Sequence, residues 1–179
     1  MGAVYARDRF NTDKPKIGLL SIGEEPGKGS PLIKEAFELL NDHDWQMRCS
    51  GEFIGNVEGR DLMNPDIDVV VTDGFSGNIA LKSIEGTVEF VTSSLTQAYK
   101  KNWLTRLQAL MTKSVLSDLM VEMDSRKYNG ASLVGLDGIV IKSHGGADAF
   151  AFHHAIETAI VEVKHQVPNQ IRSLLEKET

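Results

Sequence analysis

The residues best suited to chemistry are gathered in one stretch, Asp68-Val69-Val70-Val71-Thr72-Asp73-Gly74-Phe75-Ser76-Gly77-Asn78-Ile79-Ala80-Leu81-Lys82-Ser83. Its β-branched run has no polar break and predicts a strand buried on both faces, stopped by the turn pair Asp73-Gly74. A helix follows, with Ser76 or Asn78 as its expected N-cap. Unpaired amides at the positive end of that helix, with Lys82 one turn further in, suit an anion such as a phosphate or a carboxylate. His144, in Lys142-Ser143-His144-Gly145-Gly146, adds an imidazole, which near pH 7 serves as a general acid or as a donor to an oxyanion. Metal chemistry lacks a ligand set. Cys49 is the single cysteine, read as a small apolar filler in a strand, and His153 with Glu157 is one isolated i, i+4 pair. No His or Asp lies at a spacing that would activate Ser76 as a nucleophile.

Strands alternating with helices must position these groups. Gly2, Ala3 and Ala6 in Met1–Phe10 suit a close-packed helix without a capping residue, and Lys16–Gly23 reads as a short buried strand. Ser30 as N-cap and Pro31 at the first helical position open a helix that Asn41 and Asp42 end. Phe53-Ile54 close a second strand, Asp68–Thr72 is a third, and Gly138–Ser143 is a fourth before a helix to about Lys164 with Phe152, Ile156, Ala159 and Val163 on one face. A short surface helix and tail complete the chain from Pro168. This order predicts an α/β fold with a mainly parallel sheet and helices on both faces. Ligands of such sheets sit beyond the strands' carboxyl ends, where the loops at Glu24, Asn56, Gly74 and His144 are expected to converge.

Between the third and fourth strands lie two helical patterns that read as an antiparallel pair. Ala80, Ile84, Val88, Val91, Leu95 and Ala98 form one seam, and Leu104, Leu107, Met111, Val115, Leu119 and Met123 the other. The division is an α/β body of residues 1–75 and 128–179 with a protruding hairpin arm of residues 76–127, whose surplus apolar side calls for a symmetric partner. From Phe90 to Ser117 there is no Asp or Glu, but there are four cations, Lys100, Lys101, Arg106 and Lys113. Beside Trp103, Leu104, Leu107, Leu110 and Met111 they describe a segment able to lie on an anionic membrane surface, or equally the solvated face of a dimer arm.

The totals narrow the classes. A chain of 179 residues with 41% apolar content is ordinary for a globular protein, and a formal charge of −6 with a pI near 5.4 weighs against nucleic-acid binding. The N-terminus lacks the basic and apolar segments of a signal peptide, so the expected compartment is the cytoplasm, with a peripheral seat on the inner face of the cell membrane.

Several stretches together resemble a known family. MGAVYA at Met1, IGLLSIGEE at Ile17 with Lys28-Gly29 after it, FIGNVEGRD at Phe53, DVVVTDGFSGNIALKSIEG at Asp68, YNGASLVGLDG at Tyr128 and GIVIKSHGGADAFAFHHAI at Gly138 resemble, in order, the second half of PlsX, the phosphate acyltransferase family of bacterial phospholipid synthesis. The resemblance implies a fold similar to isocitrate and isopropylmalate dehydrogenases, with a helical arm for homodimerisation. It implies transfer of a fatty acyl group from acyl carrier protein to inorganic phosphate, without redox cofactor or metal; the acyl phosphate would then pass to a membrane glycerol-3-phosphate acyltransferase. It places phosphate or acyl phosphate at Asp73, Ser76, Gly77 and Asn78, with Asn56, Lys142 and Ser143 in the site and Lys28, Lys82 and His144 as catalytic groups. The family's first half should supply one wall of the cleft. A phosphotransacetylase-like enzyme acting on acyl-coenzyme A, or a non-catalytic dimeric membrane-surface fragment, are the competing readings.

Overall fold

A computed structural model of the chain describes residues 1–42 and 51–176; Cys49 and the expected C-terminal tail after Glu176 lie outside the described residues. The structure is mixed α/β around a small parallel sheet. Helix α1 (Gly2–Phe10) starts without a side-chain cap and leads into β1 (Lys16–Leu20). Helix α2 (Pro31–Leu40) begins as its sequence requires: Ser30 Oγ accepts from the Ile33 amide and Pro31 occupies the first turn. Strand β2 (Glu52–Val57) follows, so Phe53 and Ile54 open the second strand rather than close it.

Strand β3 (Val69–Val71) completes a sheet of order β2-β1-β3, all parallel, with Ile17 opposite both Phe53 and Val69. The bulge between Ile17 and Gly18 lets Gly18 pass Val57, where a Cβ would stand only 2.5 Å from Val57 Cγ1. The core is built on this central strand. Ile17, Leu19, Phe53 and Ala3 are buried, with Ile33, Phe37 and Leu40 of α2 against them, and the Phe37 and Phe53 rings meet edge to face at 5.4 Å. The expectation that β3 is buried on both faces fails: Val69 and Val70 are half-buried and Val71 is exposed, because β3 is an edge strand among the described residues.

Helix α3 (Gly74–Lys100) is long and continuous and packs on α4 (Trp103–Met111). The second seam does not run unbroken. It is interrupted at Thr112, whose hydroxyl bonds back to Gln108 O, and resumes as α5 (Lys113–Glu122). None of these three helices buries a residue.

The expected fourth strand is also different. Only Ile141–Lys142 (β5) is extended, and it pairs antiparallel with Ala131–Ser132 (β4), apart from the main sheet. Asp148 caps helix α6 (Ala149–His165), accepting from the Ala151 amide. Its inner face carries Ala151, Ala155, Thr158 and Glu162, while the expected apolar positions Phe152, Ile156 and Val163 are exposed. Small residues win that face because Gly130 passes Ala155 so closely that a Cβ there would lie 2.8 Å from Ala155 Cα. Helix α7 (Val167–Glu176) anchors the chain end, with Val167 and Ile171 buried on Val4 of α1. Among the described residues no helix is long and apolar enough to cross a membrane.

Candidate active site

Because β1, β2 and β3 run parallel, their carboxyl ends deliver three loops to one rim of the sheet. On the first side, buried Asn56 donates through Nδ2 to Glu25 O at 2.9 Å. Arg60 donates to Glu24 Oε1 at 2.8 Å and stands 3.2 Å from Glu58 Oε2, so these loops converge and Glu24 acts as a strut between them. The Glu24, Glu58 and Asp61 carboxylates hold the Arg60 guanidinium above its ordinary pKa. Asn56 Oδ1 and Ser21 Oγ are buried beneath this junction without a partner among the described residues. Lys28 folds back over Gly23, where a Cβ would stand 3.0 Å from Lys28 Cγ.

At the end of β3 the helix begins earlier than its cap-type residues suggested. The N-cap is Asp73, not Ser76 or Asn78. Asp73 Oδ1 accepts from the Phe75 amide at 2.9 Å and the Ser76 amide at 2.8 Å, and Oδ2 accepts the Ser76 hydroxyl at 2.6 Å. The Ser76 hydroxyl first, then the backbone amides, hold the Asp73 carboxyl below its usual range. The Gly77 amide donates to Asp73 O at 3.0 Å. The amides of Ser76 and Gly77, read as an anion cradle, are therefore already engaged by Asp73. Asn78 lies exposed within the first turns.

One turn on, Lys82 Nζ pairs with Glu85 Oε2 at 2.7 Å. Glu85 titrates below the normal range because of the Lys82 hydrogen bond first, then the Lys82 charge and that of His144. Glu85 was missed in the sequence, although Lys82 and Glu85 stand at the i, i+3 spacing of a helical ion pair. Lys28 and Lys142 are exposed and make no side-chain hydrogen bond or ion pair among the described residues.

The His144 loop is held from below. Asn129 Oδ1 accepts from the His144 amide at 2.9 Å, while its Nδ2 donates to Ser143 Oγ at 2.9 Å and to Ala151 O at 2.8 Å. The Gly146 amide donates to His144 Nδ1 at 3.1 Å. Arg126 braces the same corner, joining Asp124 to Asp148 Oδ2 at 2.8 Å with its guanidinium 5.2 Å from the Phe150 ring centre. In α4, Trp103, Leu104, Leu107, Leu110 and Met111 are all exposed, Met111 by 80% and Trp103 by 72%.

Residues 1–170 match the model of a family described as fatty acid synthesis protein. A phosphate acyltransferase of Magnetococcus marinus is 45% identical over 177 residues, covering 99% of this chain and 51% of that protein. The phosphate acyltransferase of Alkalilimnicola ehrlichii is 47% identical over 176 residues, 98% of this chain and 50% of the relative, and that of a Geobacillus species is 45% identical over 177 residues, 99% and 52%. The chain spans about half the length of the curated relatives it matches. With the family match running from α1 through the sheet, α3 to α5 and all of α6, the chain belongs to the fatty acid synthesis protein family, PlsX.

Proposed function

We propose that this chain supplies the phosphate-side half of a phosphate acyltransferase that moves a fatty acyl group from the thioester of acyl carrier protein to inorganic phosphate. The observation that carries this reading is the Lys82–Glu85 pair on the helix that leaves the end of β3, in a chain whose relatives bear that name. A phosphate oxygen attacks the thioester carbonyl carbon, the carbonyl oxygen gains the charge, and as the carbonyl re-forms the C–S bond breaks to release the carrier thiolate. Such a reaction asks the protein to hold an anion, orient it and offer donors to the developing oxyanion. Lys82 and Lys28 supply charge, His144 supplies a donor, and Asn56 with Ser21 supplies the polar floor beneath the loops. Asp73 serves this site by fixing the start of α3, and Ser143 and Lys142 by carrying His144.

The arm supports two further parts of the proposal. Its exposed apolar residues, next to Lys100, Lys101, Arg106 and Lys113, fit homodimerisation and a peripheral seat on an anionic membrane, where acyl phosphate would meet a membrane glycerol-3-phosphate acyltransferase. The dehydrogenase-like architecture belongs to the same proposal and requires the strands of a longer chain.

The test is acyl phosphate formation from palmitoyl-acyl carrier protein and phosphate, by the chain alone and by a fusion behind the first half of the Magnetococcus marinus relative. Turnover in the fusion that is lost in Lys82→Ala supports the reading; a folded fusion that forms no acyl phosphate refutes it. For the arm, a Trp103→Gln, Leu107→Gln, Leu110→Gln variant should lose co-sedimentation with anionic vesicles, and undiminished binding removes the membrane seat.

A further inference from the structure

Asn129 stands outside every group so far given a role in the reaction, yet its hydrogen bonds fix the part of the site that carries His144. The orientation of its side-chain amide follows from its partners. Ala151 O is an obligate acceptor and the His144 amide an obligate donor, so Nδ2 must face the first and Oδ1 the second. Both Nδ2 hydrogens are used, on Ala151 O at 2.8 Å and Ser143 Oγ at 2.9 Å, and the half-buried side chain ties β5 to the first turn of α6. Gly130, next in sequence, makes this possible: at φ 109 it passes over Ala155 at a distance that leaves no room for a Cβ.

The consequence reaches the imidazole. The loop held by Asn129 closes on itself, with the Ala147 amide on His144 O at 3.0 Å and the Gly146 amide on His144 Nδ1 at 3.1 Å. An amide only donates, so Nδ1 must carry a lone pair, and the neutral ring keeps its proton on Nε2. Nε2 makes no hydrogen bond among the described residues, and His144 is exposed. The ring is therefore set to give a hydrogen bond and not to take a proton through its outward nitrogen.

We propose that Asn129 is a positioning residue that holds the Ser143–Gly146 loop so that His144 is fixed in its Nε2–H tautomer, presenting a hydrogen-bond donor to the thioester oxygen as that oxygen becomes negative. No proton changes hands in this role. The phosphate oxygen forms its bond to the carbonyl carbon, the oxyanion is met by Nε2–H, and the thiolate departs with the electrons of the C–S bond. The assignment of the reaction rests on the function proposed above; the assignment of the tautomer does not.

The experiment is long-range 1H–15N correlation NMR of the histidine rings in the 15N-labelled chain, at a pH where His144 is neutral, assigned by His144→Gln. Wild type should show one tautomer with the proton on Nε2 and no averaging. Asn129→Ala should move both ring nitrogens toward the averaged shifts of a free imidazole, whereas Asn129→Asp, which keeps the oxygen that accepts from the His144 amide, should restore most of the wild-type pattern. An unchanged His144 pattern in Asn129→Ala, or an averaged one in the wild type, overturns the proposal. Should Asn129→Ala not fold, an averaged spectrum in Asn129→Asp overturns it and a retained one supports it. Titrating inorganic phosphate into the same sample tests the site separately. A shift of the Nε2–H signal supports the functional reading, and its absence counts against that reading while leaving the tautomer result standing.

Discussion

Replacing Gly130 by alanine tests how the His144 corner is built. The new Cβ would stand 2.8 Å from Ala155 Cα, 3.2 Å from Thr158 Oγ1 and 3.3 Å from Ala155 Cβ, and the backbone at φ 109 is a conformation that L residues rarely adopt. Neither neighbour can swing aside, since Ala155 Cα belongs to a helix backbone and Thr158 is buried, with its hydroxyl on His154 O. Left-handed backbone costs a non-glycine residue about 1–2 kcal/mol, and overpacking a close contact about 1–3 kcal/mol. Stiffening of the unfolded chain returns about 0.4–1 kcal/mol. The net loss is about 1–5 kcal/mol, a large share of the roughly 5–15 kcal/mol that holds a typical domain. Urea unfolding followed by circular dichroism measures it, with Gly138→Ala as the control. A Cβ at Gly138 meets nothing within 4 Å, so that variant should stay within about 0.5 kcal/mol of wild type. Equal midpoints for the two variants would refute the close approach of the Tyr128–Ala131 turn to α6.

Leu19, 1% exposed on the central strand, should lose about 2–5 kcal/mol as Leu19→Ala in the same assay. The Asp124 carboxyl is pulled down to about 2 by its Arg126 hydrogen bonds first, and Asp148 is lowered by the Ala151 amide and then by Arg126. Carboxyls depressed in the folded state contribute stability above their unfolded pKa near 4 that is lost as pH falls toward 2. Thermal unfolding from pH 6 to pH 2 should therefore show a smaller drop in Arg126→Met than in wild type, and parallel curves would contradict the brace. Asp73→Ala removes the acceptor for the Phe75 and Ser76 amides and should fray the first turn of α3, read as faster amide exchange at Phe75 and Ser76 with Leu19 unaffected.

What the sequence made legible was local. Ser30-Pro31 announces α2 because both residues act within a single turn, and the start of α1 without a cap was equally plain. The strand, turn and helix pattern marks the chemistry-bearing stretch, but with the helix starting at Gly74 Lys82 lies more than two turns in, not one. The cap was misread because Asp73, Ser76 and Asn78 are all cap types crowded into one turn region, and Asp73-Gly74 also satisfies a turn. The spacing that resolves it is Asp73 three residues before Ser76, which lets one carboxylate reach both the amide and the hydroxyl. Long-range facts were invisible. Nothing local in Val69–Val71 says that no strand among the described residues lies outside it, and nothing in Ile141-Lys142 says that its partner is Ala131-Ser132 and antiparallel. The inner face of α6 was missed for a related reason: hydrophobic periodicity selects the largest apolar residues, whereas a close backbone crossing selects alanine and threonine.

The carboxylates of the site bear on how it would take phosphate. Asp73 occupies the start of α3, Glu85 holds Lys82, and Glu24 holds Arg60, so these three positive features are already matched by carboxylates of the chain. On the proposed reading, phosphate bound at the helix start or at Lys82 must exchange with one of these partners. The helix start is the poorest candidate, because the Asp73 carboxylate is tied by three hydrogen bonds and its removal would undo the cap. The Lys82–Glu85 pair is the best, being exposed and made by a single contact between two flexible side chains, the kind of ion pair that contributes least to stability. The helix dipole then acts at one remove: it orders Asp73 and the first turn, and the ordered helix in turn presents Lys82.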